Sequence, residues 1–179
     1  IAQKTGVGQI NTGNKKVLVF SAFADTVTYL YDQLAPSLRK AYGLTCAQVT
    51  GTRNRVVGTY QTRGGFEGIL GRFSPRSKET TALAEREGDI DIIFATDCIS
   101  EGQNLQDCDC VVNYDVHWNP VRIVQRFGRV DRLGSTNERI QMVIFWPDMD
   151  LESYIKLESR VKARMALGDA SASGEENLL

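Results

Sequence analysis

The chain has 179 residues, of which 42% are hydrophobic and 24% charged, the balance of an ordinary folded domain and not of a disordered or collagen-like one. Its formal net charge of −1 excludes a histone-like binder that works through bulk positive charge, so any contact with nucleic acid must be local. Cys46, Cys98, Cys108 and Cys110 lack paired C-x-x-C spacing and the only histidine is His117. Buried reduced thiols are therefore expected, not a structural zinc site. No apolar run approaches the roughly 20 residues that span a bilayer, and no charged segment followed by an apolar core opens the chain. A cytoplasmic protein with no membrane contact is expected.

Residues 1–15 are polar and glycine-containing without a clear period, which predicts a linker or a segment that packs on another lobe. Residues 17–20 form an apolar run rich in β-branched side chains, a strand. Over residues 24–42, Val27, Leu30, Tyr31, Leu34 and Leu38 recur at helical spacing. Gly43 then supplies the left-handed stop of that helix, and Pro36 is expected to kink or restart it. Short strands follow at 47–49 and 90–95. Further strands are predicted at 111–114 and 142–145, with a helical pattern between them over 120–130 and another over 151–167. Residues 168–179 read as a flexible tail. Strands alternating with helices imply an α/β fold with a mostly parallel sheet covered by helices on both faces.

Between positions 53 and 78, Arg53, Arg55, Arg63, Arg72, Arg76 and Lys78 stand against Glu67 alone. This basic stretch reads either as a contact surface for nucleic acid or a partner, or as a solvated helix face. Ser74-Pro75 is expected to divide the region into two helical pieces.

In an open parallel sheet, ligands bind beyond the carboxyl ends of the strands, where loops converge. Those loops begin at Ser21, Thr50, Thr96 and Asp115. Hydroxyls and backbone amides there suit phosphate oxygens, although any one of them serves equally as a helix cap. The segment QRFGRVDRLG at 125–134 puts Arg126, Arg129 and Arg132 on one side of a helix, if the helix extends that far. Three like charges on one face favour a polyanion opposite them; pairing with Asp131 and other local acids is the competing reading.

The segment DIIFATDCISEGQNLQ at 91–106 resembles motif V of superfamily 2 helicases, and residues 125–134 resemble their motif VI. VNYDVHWNP at 112–120 is similar to the intervening block of the Swi/Snf-like branch, close to the bacterial RNA-polymerase-associated RapA-like proteins, and KVLVFSAF at 16–23 resembles motif IV. The resemblance covers residues 16–147 and implies a RecA-like three-layer sandwich over residues 16–167, the second of two lobes that close on ATP.

By motif position, the resemblance implies that Arg129 and Arg132 are arginine fingers, placing fixed charge where it builds up on the transferring phosphoryl group. Such a contribution is worth on the order of 10³ to 10⁵ in rate. It implies ATP contacts for Glu101, Gly102, Asn104 and Gln125, and contacts to the nucleic-acid backbone for Ser21, Thr50, Gly51, Thr96 and Asp97. ATP and Mg²⁺ would be held mainly by a first lobe of the same parent chain, because the sequence contains no G-x-x-x-x-G-K-[ST] phosphate loop. The isolated chain is then expected to be inactive. The implied partners are nucleic acid, double-stranded DNA foremost, and RNA polymerase, with the bacterial nucleoid as the place of action. Two other readings stand beside this one. One is an ATP-independent module that binds nucleic acid or polymerase. The other is an unrelated α/β enzyme that acts on a phosphorylated small molecule with Asp97 or Asp115 as base.

Overall fold

The computed structural model describes residues 10–56, 65–99, 102–115, 120–132 and 134–145, together with 156, 159 and 163. The tail at 168–179 lies outside the described residues. So does the helical pattern at 151–167, apart from Lys156, Ser159 and Ala163, which are helical and exposed.

Six strands form one sheet: β1 (Val17–Phe20), β2 (Cys46–Val49), β3 (Asn54–Val56), β4 (Ile92–Ala95), β5 (Cys110–Asn113) and β6 (Gln141–Ile144). Their spatial order is β3-β2-β4-β1-β5-β6. All pairs are parallel except β2 with β3. The helices are α1 (Ala24–Tyr42), α2 (Gly65–Phe73), α3 (Thr81–Glu87) and α4 (Pro120–Phe127), with a 3-10 turn at Asp97–Ile99.

Successive side chains of a strand point to opposite faces, and here both faces are apolar. Val17, Cys46, Ile92, Phe94 and Cys110 pack on one side against Val27, Leu30, Tyr31 and Ala35 of α1, where the Tyr31 ring meets Phe94 edge-on at 6.1 Å. Leu18, Phe20, Ala47, Val49, Ile93, Ala95 and Val111 pack on the other against Ile69, Leu70 and Phe73 of α2 and against Val130. The sheet is thus the middle of three layers, as the alternation of strand and helix patterns required.

The long first helix ends as expected: Gly43 takes a left-handed conformation at φ 67° and its amide bonds to Arg39 O at 2.9 Å. Pro36 sits inside α1 without dividing it. Residues 53–87 break at Ser74-Pro75 into α2 and α3, also as expected, but they open with the antiparallel strand β3, which the sequence pattern did not show. Only Val56 of that strand is buried, so no apolar alternation marks it.

The basic stretch does not form one surface. Arg72 is buried and turns its guanidinium onto Gly88 O and Glu87 O, at 2.7 and 2.8 Å, at the end of α3, a favourable place for a cation. Arg55 lies on the opposite layer, bonded to Asp32 and Gln48 and stacked 4.5 Å from the Tyr31 ring centre. Lys78 pairs with Glu67 and bonds to Gln103. Arg63 lies outside the described residues. Of the four thiols, Cys46, Cys108 and Cys110 are buried as expected, but Cys98 is exposed.

Candidate functional site at the strand ends

Strand register sets where the loops emerge. Phe20 pairs with Ala95 and Asn113, and Val49 with Ala95, so β1, β2, β4 and β5 end at one level. The ladder runs one residue further: Ser21 N bonds to Ala95 O at 3.1 Å, Thr96 N to Val49 O at 3.1 Å and Tyr114 N to Phe20 O at 2.9 Å. The loops holding Ser21, Thr50, Thr96, Asp97 and Asp115 therefore start side by side, as expected of a binding edge.

Within that edge the groups are already engaged. Ser21 is fully buried and its hydroxyl donates to the Asp115 carboxylate, which also accepts the Ala22 amide at 3.0 Å. Thr50 and Gly51 form the tight turn between β2 and β3. The Thr50 amide bonds to Arg53 O at 2.9 Å and the Thr50 hydroxyl accepts the Arg53 amide, also at 2.9 Å, while Gly51 stays exposed.

The three-arginine face predicted for residues 126–132 does not form. The helix stops at Phe127 and the chain turns through Gly128, with Val130 N bonded to Phe127 O at 2.9 Å. Arg126 points inward and has no exposed surface. Its Nε and Nη2 bond to the two carboxylate oxygens of Asp97 at 2.7 and 3.0 Å, and its Nη1 to Asn113 Oδ1 at 2.9 Å. The flat face of the guanidinium lies 5.0 Å from the Phe20 ring centre. Asp97 and Asn113 supply the counter-charge and the acceptor that a buried guanidinium requires, which is why this arginine leaves its neighbours. Asp97 consequently faces α4 through its carboxylate.

The remaining two arginines behave differently. Arg132 is exposed. Arg129 is half-buried, and its carbonyl accepts the Leu105 amide at 2.9 Å, tying the turn after α4 to the loop after β4. Gly102 in that loop has φ 69°, a left-handed conformation that favours glycine. Among the described residues, none beyond its chain neighbours lies within 4 Å of where its Cβ would be, so conformation and not crowding calls for glycine there. Glu101 lies outside the described residues.

Four buried polar atoms among the described residues have no hydrogen-bond partner: Asn104 Oδ1, Asn113 Nδ2, Gln125 Oε1 and Arg129 Nε. All belong to α4, the turn after it, or the two segments it touches. Polar atoms are rarely buried unpaired, because each costs about 1 to 3 kcal/mol; Asn113 is wholly inside the fold with its amide oxygen held by Arg126, while Asn104, Gln125 and Arg129 are only partly buried. Asn104, Gln125 and Arg129 are among the residues that the motifs single out. Asn113 is not; its signal was a lone amide at the end of an otherwise apolar strand. No group of three or more His, Cys, Asp or Glu able to hold a metal ion occurs among the described residues.

Comparison with known proteins gives a consistent result. Residues 6–134 match the family described as helicase conserved C-terminal domain. The chain is 40% identical over 76 residues to an uncharacterized ATP-dependent helicase, YqhH, of Bacillus subtilis, covering 42% of this chain and 12% of that protein. It is 31% identical over 120 residues to the DEAD-box ATP-dependent RNA helicase CshA of Geobacillus kaustophilus, covering 66% of this chain and 25% of that protein. The chain thus spans a quarter or less of these relatives' length.

Among solved structures, the C-terminal part of the Fun30 ATPase domain aligns with a TM-score of 0.51 at 21% identity, over 79% of this chain and 38% of that one. Dbp5 of S. cerevisiae bound to RNA and ADP BeF3 aligns with a TM-score of 0.51 at 19% identity, over 83% of this chain and 32% of that one. At these identities the structures speak for the fold alone, a RecA-like helicase lobe.

Proposed function

Because the chain belongs to the helicase conserved C-terminal domain family, we propose that it is the second motor lobe of a nucleic-acid-dependent ATPase. In this reading it completes an ATP site whose phosphate loop lies on a first lobe of the same parent chain. The observation that carries the reading is the unpartnered polar atoms on the partly buried Asn104, Gln125 and Arg129, beside the exposed Arg132. A binding module with no nucleotide role has no use for an unpaired guanidinium nitrogen and amide groups gathered around α4.

Arg129 and Arg132 act as arginine fingers, with the exposed Arg132 placed to reach across to the first lobe. Glu101, Gly102, Asn104 and Gln125 line the nucleotide side. The polar groups fit ATP: guanidinium forks donate to phosphate oxygens, and the free amide oxygens of Gln125 and Asn104 accept from N–H or O–H groups. Mg²⁺, which neutralises developing charge in such sites, is held by the first lobe. Ser21, Thr50, Gly51, Thr96 and Asp97 form the edge that meets the phosphate backbone, where backbone amides and hydroxyls fix register without reading bases. Since the hydroxyls of Ser21 and Thr50 and the Ala22 amide already have partners, this contact is made chiefly through the exposed backbone at Gly51.

The Swi/Snf-like resemblance favours translocation on duplex DNA, in the nucleoid of a bacterium and alongside RNA polymerase. The RNA helicases among the relatives favour RNA, so substrate choice is tested with both. ATP turnover of the two-lobe parent, with duplex DNA and with RNA, decides the matter. Arg129→Ala and Arg132→Ala are each expected to lower stimulated turnover by about two orders of magnitude or more while ATP still binds. Turnover indifferent to nucleic acid and to both arginines would instead establish the ATP-independent binding module.

A further inference from the structure

The Ser21 hydroxyl is used twice inside the protein: it donates to the Asp115 carboxylate and accepts the Phe23 amide at 3.1 Å. The Phe23 carbonyl in turn accepts the Val27 amide, also at 3.1 Å, in the first turn of α1. The backbone of Phe23 is thus held on both sides of its Cα, by a serine with no exposed surface and by a helix. Its side chain is not covered. Phe23 is 65% exposed, more than any other large hydrophobic residue described. It follows the end of β1 at Phe20 and stands two residues beyond Ser21, on the proposed nucleic-acid edge.

The fold gives no reason for a ring at this position. Phe23 is the N-cap of α1 and makes no side-chain cap bond, where serine, threonine, aspartate or asparagine would hold a free amide of the first turn. A lone exposed apolar residue is common on any surface, but this one is fixed in place by a buried hydroxyl and carboxylate. An edge that touches only phosphates has no use for it. An aromatic face, by contrast, stacks on any base whatever the sequence, and a rigidly held backbone lowers the ordering cost of that contact. In a duplex the base faces are occupied by neighbouring bases, so a ring at the edge calls for an unpaired one. Resting on the motor reading, we propose that Phe23 is a stacking platform for an unpaired base of the strand that lies along this edge, aimed by Ser21 and Asp115.

The test is binding of the two-lobe parent to fluorescent single strands of DNA and of RNA, read by anisotropy. Strands of the same length in which stable abasic spacers replace the bases serve as the comparison. On strands with bases, Phe23→Ala and Phe23→Leu are each expected to bind about tenfold more weakly than wild type, while Phe23→Trp, which keeps an aromatic face, binds at least as well. On abasic strands all four proteins should agree within about twofold. A Phe23→Ala loss as large on abasic strands as on those with bases would place the ring against the backbone or the first lobe and overturn the stacking. Leucine serving as well as tryptophan would overturn it too, and this comparison decides if Phe23→Ala fails to fold by thermal melt. A wild type that neither binds these strands nor turns over ATP faster with them overturns the motor reading and the stacking together. A stimulated wild type that Phe23→Ala matches in affinity overturns the stacking alone.

Discussion

Arg126 and Asp97 stand 29 residues apart in the chain, and their side chains meet fork to fork, at 2.7 and 3.0 Å, with the arginine wholly buried and the aspartate side chain 24% exposed. The asymmetry matters. Removing the aspartate strands a charge that cannot reach water, while removing the arginine leaves one that can.

Asp97→Ala is therefore expected to destabilise the folded chain by about 3 kcal/mol, near the lower end for a broken buried pair. Arg126→Met should cost less, and the double variant less than the two single losses added together. Urea unfolding of the four proteins checks this through the coupling energy, expected at about 2 kcal/mol. Strict additivity would mean that the pair contributes nothing to holding the 3-10 turn against α4.

A second carboxylate makes an opposite prediction. Asp91 accepts the Thr45 amide at 2.7 Å, but burial outweighs that bond and the nearby Lys16 and Lys15, and it holds the carboxyl above its ordinary range. The folded chain then binds a proton at pH values where the unfolded chain has released it, so stability falls as pH rises through that window. Asp91→Asn should be at least as stable as wild type at pH 7, and its advantage should shrink towards about pH 4, where the unfolded aspartate also protonates. Chemical denaturation across pH 4 to 8 measures the difference. A wild type that gained on the variant with rising pH would show that the hydrogen bond, and not burial, governs this site.

The thiols give a third prediction. Cys46 is fully buried and its thiol is pushed up to about 12, chiefly by burial, and Cys108 and Cys110 are buried elsewhere, in β5 and the loop before it. Only Cys98 is exposed. Since the thiolate is the reactive form, a maleimide at neutral pH should label one site quickly and the others only on unfolding. Mass spectrometry of the adducts checks it, and Cys98→Ser should remove the fast phase.

Much of this arrangement was readable from the chain. Apolar runs at 17–20 and 111–114 and the helical recurrence of Val27, Leu30 and Tyr31 dictate a sheet covered by helices, because no other packing buries both sets. Gly43 and Ser74-Pro75 announced their breaks through backbone chemistry alone. The level at which the loops leave the strands was also legible, since small polar residues close the apolar runs at Ser21, Thr50 and Thr96.

What escaped was decided by partners distant in sequence. The fate of Arg126 depended on Asp97 and Asn113 arriving beneath it, while helical spacing alone grouped it with Arg129 and Arg132. Strand β3 was hidden because it is an edge. Its order comes from hairpin pairing with β2 and from Arg55 reaching over to Asp32 and Tyr31, contacts that leave no apolar period. Cys98 looked like its fellow cysteines until the 3-10 turn placed it outward.

The strand order also sets a timetable for synthesis. β1 comes first but occupies an inner position, between strands that begin at Ile92 and Cys110. Until a ribosome has made both, an interval on the order of 10 s at ordinary elongation rates, the apolar segment Val17–Phe20 has at least one unpaired edge. An unpaired apolar strand is a template for wrong pairing with other chains, and contacts this distant in sequence close slowly. The nascent lobe therefore passes through a period of exposure to aggregation that ends only when β5 is added, and its yield in a cell depends on what shelters those four residues in the meantime.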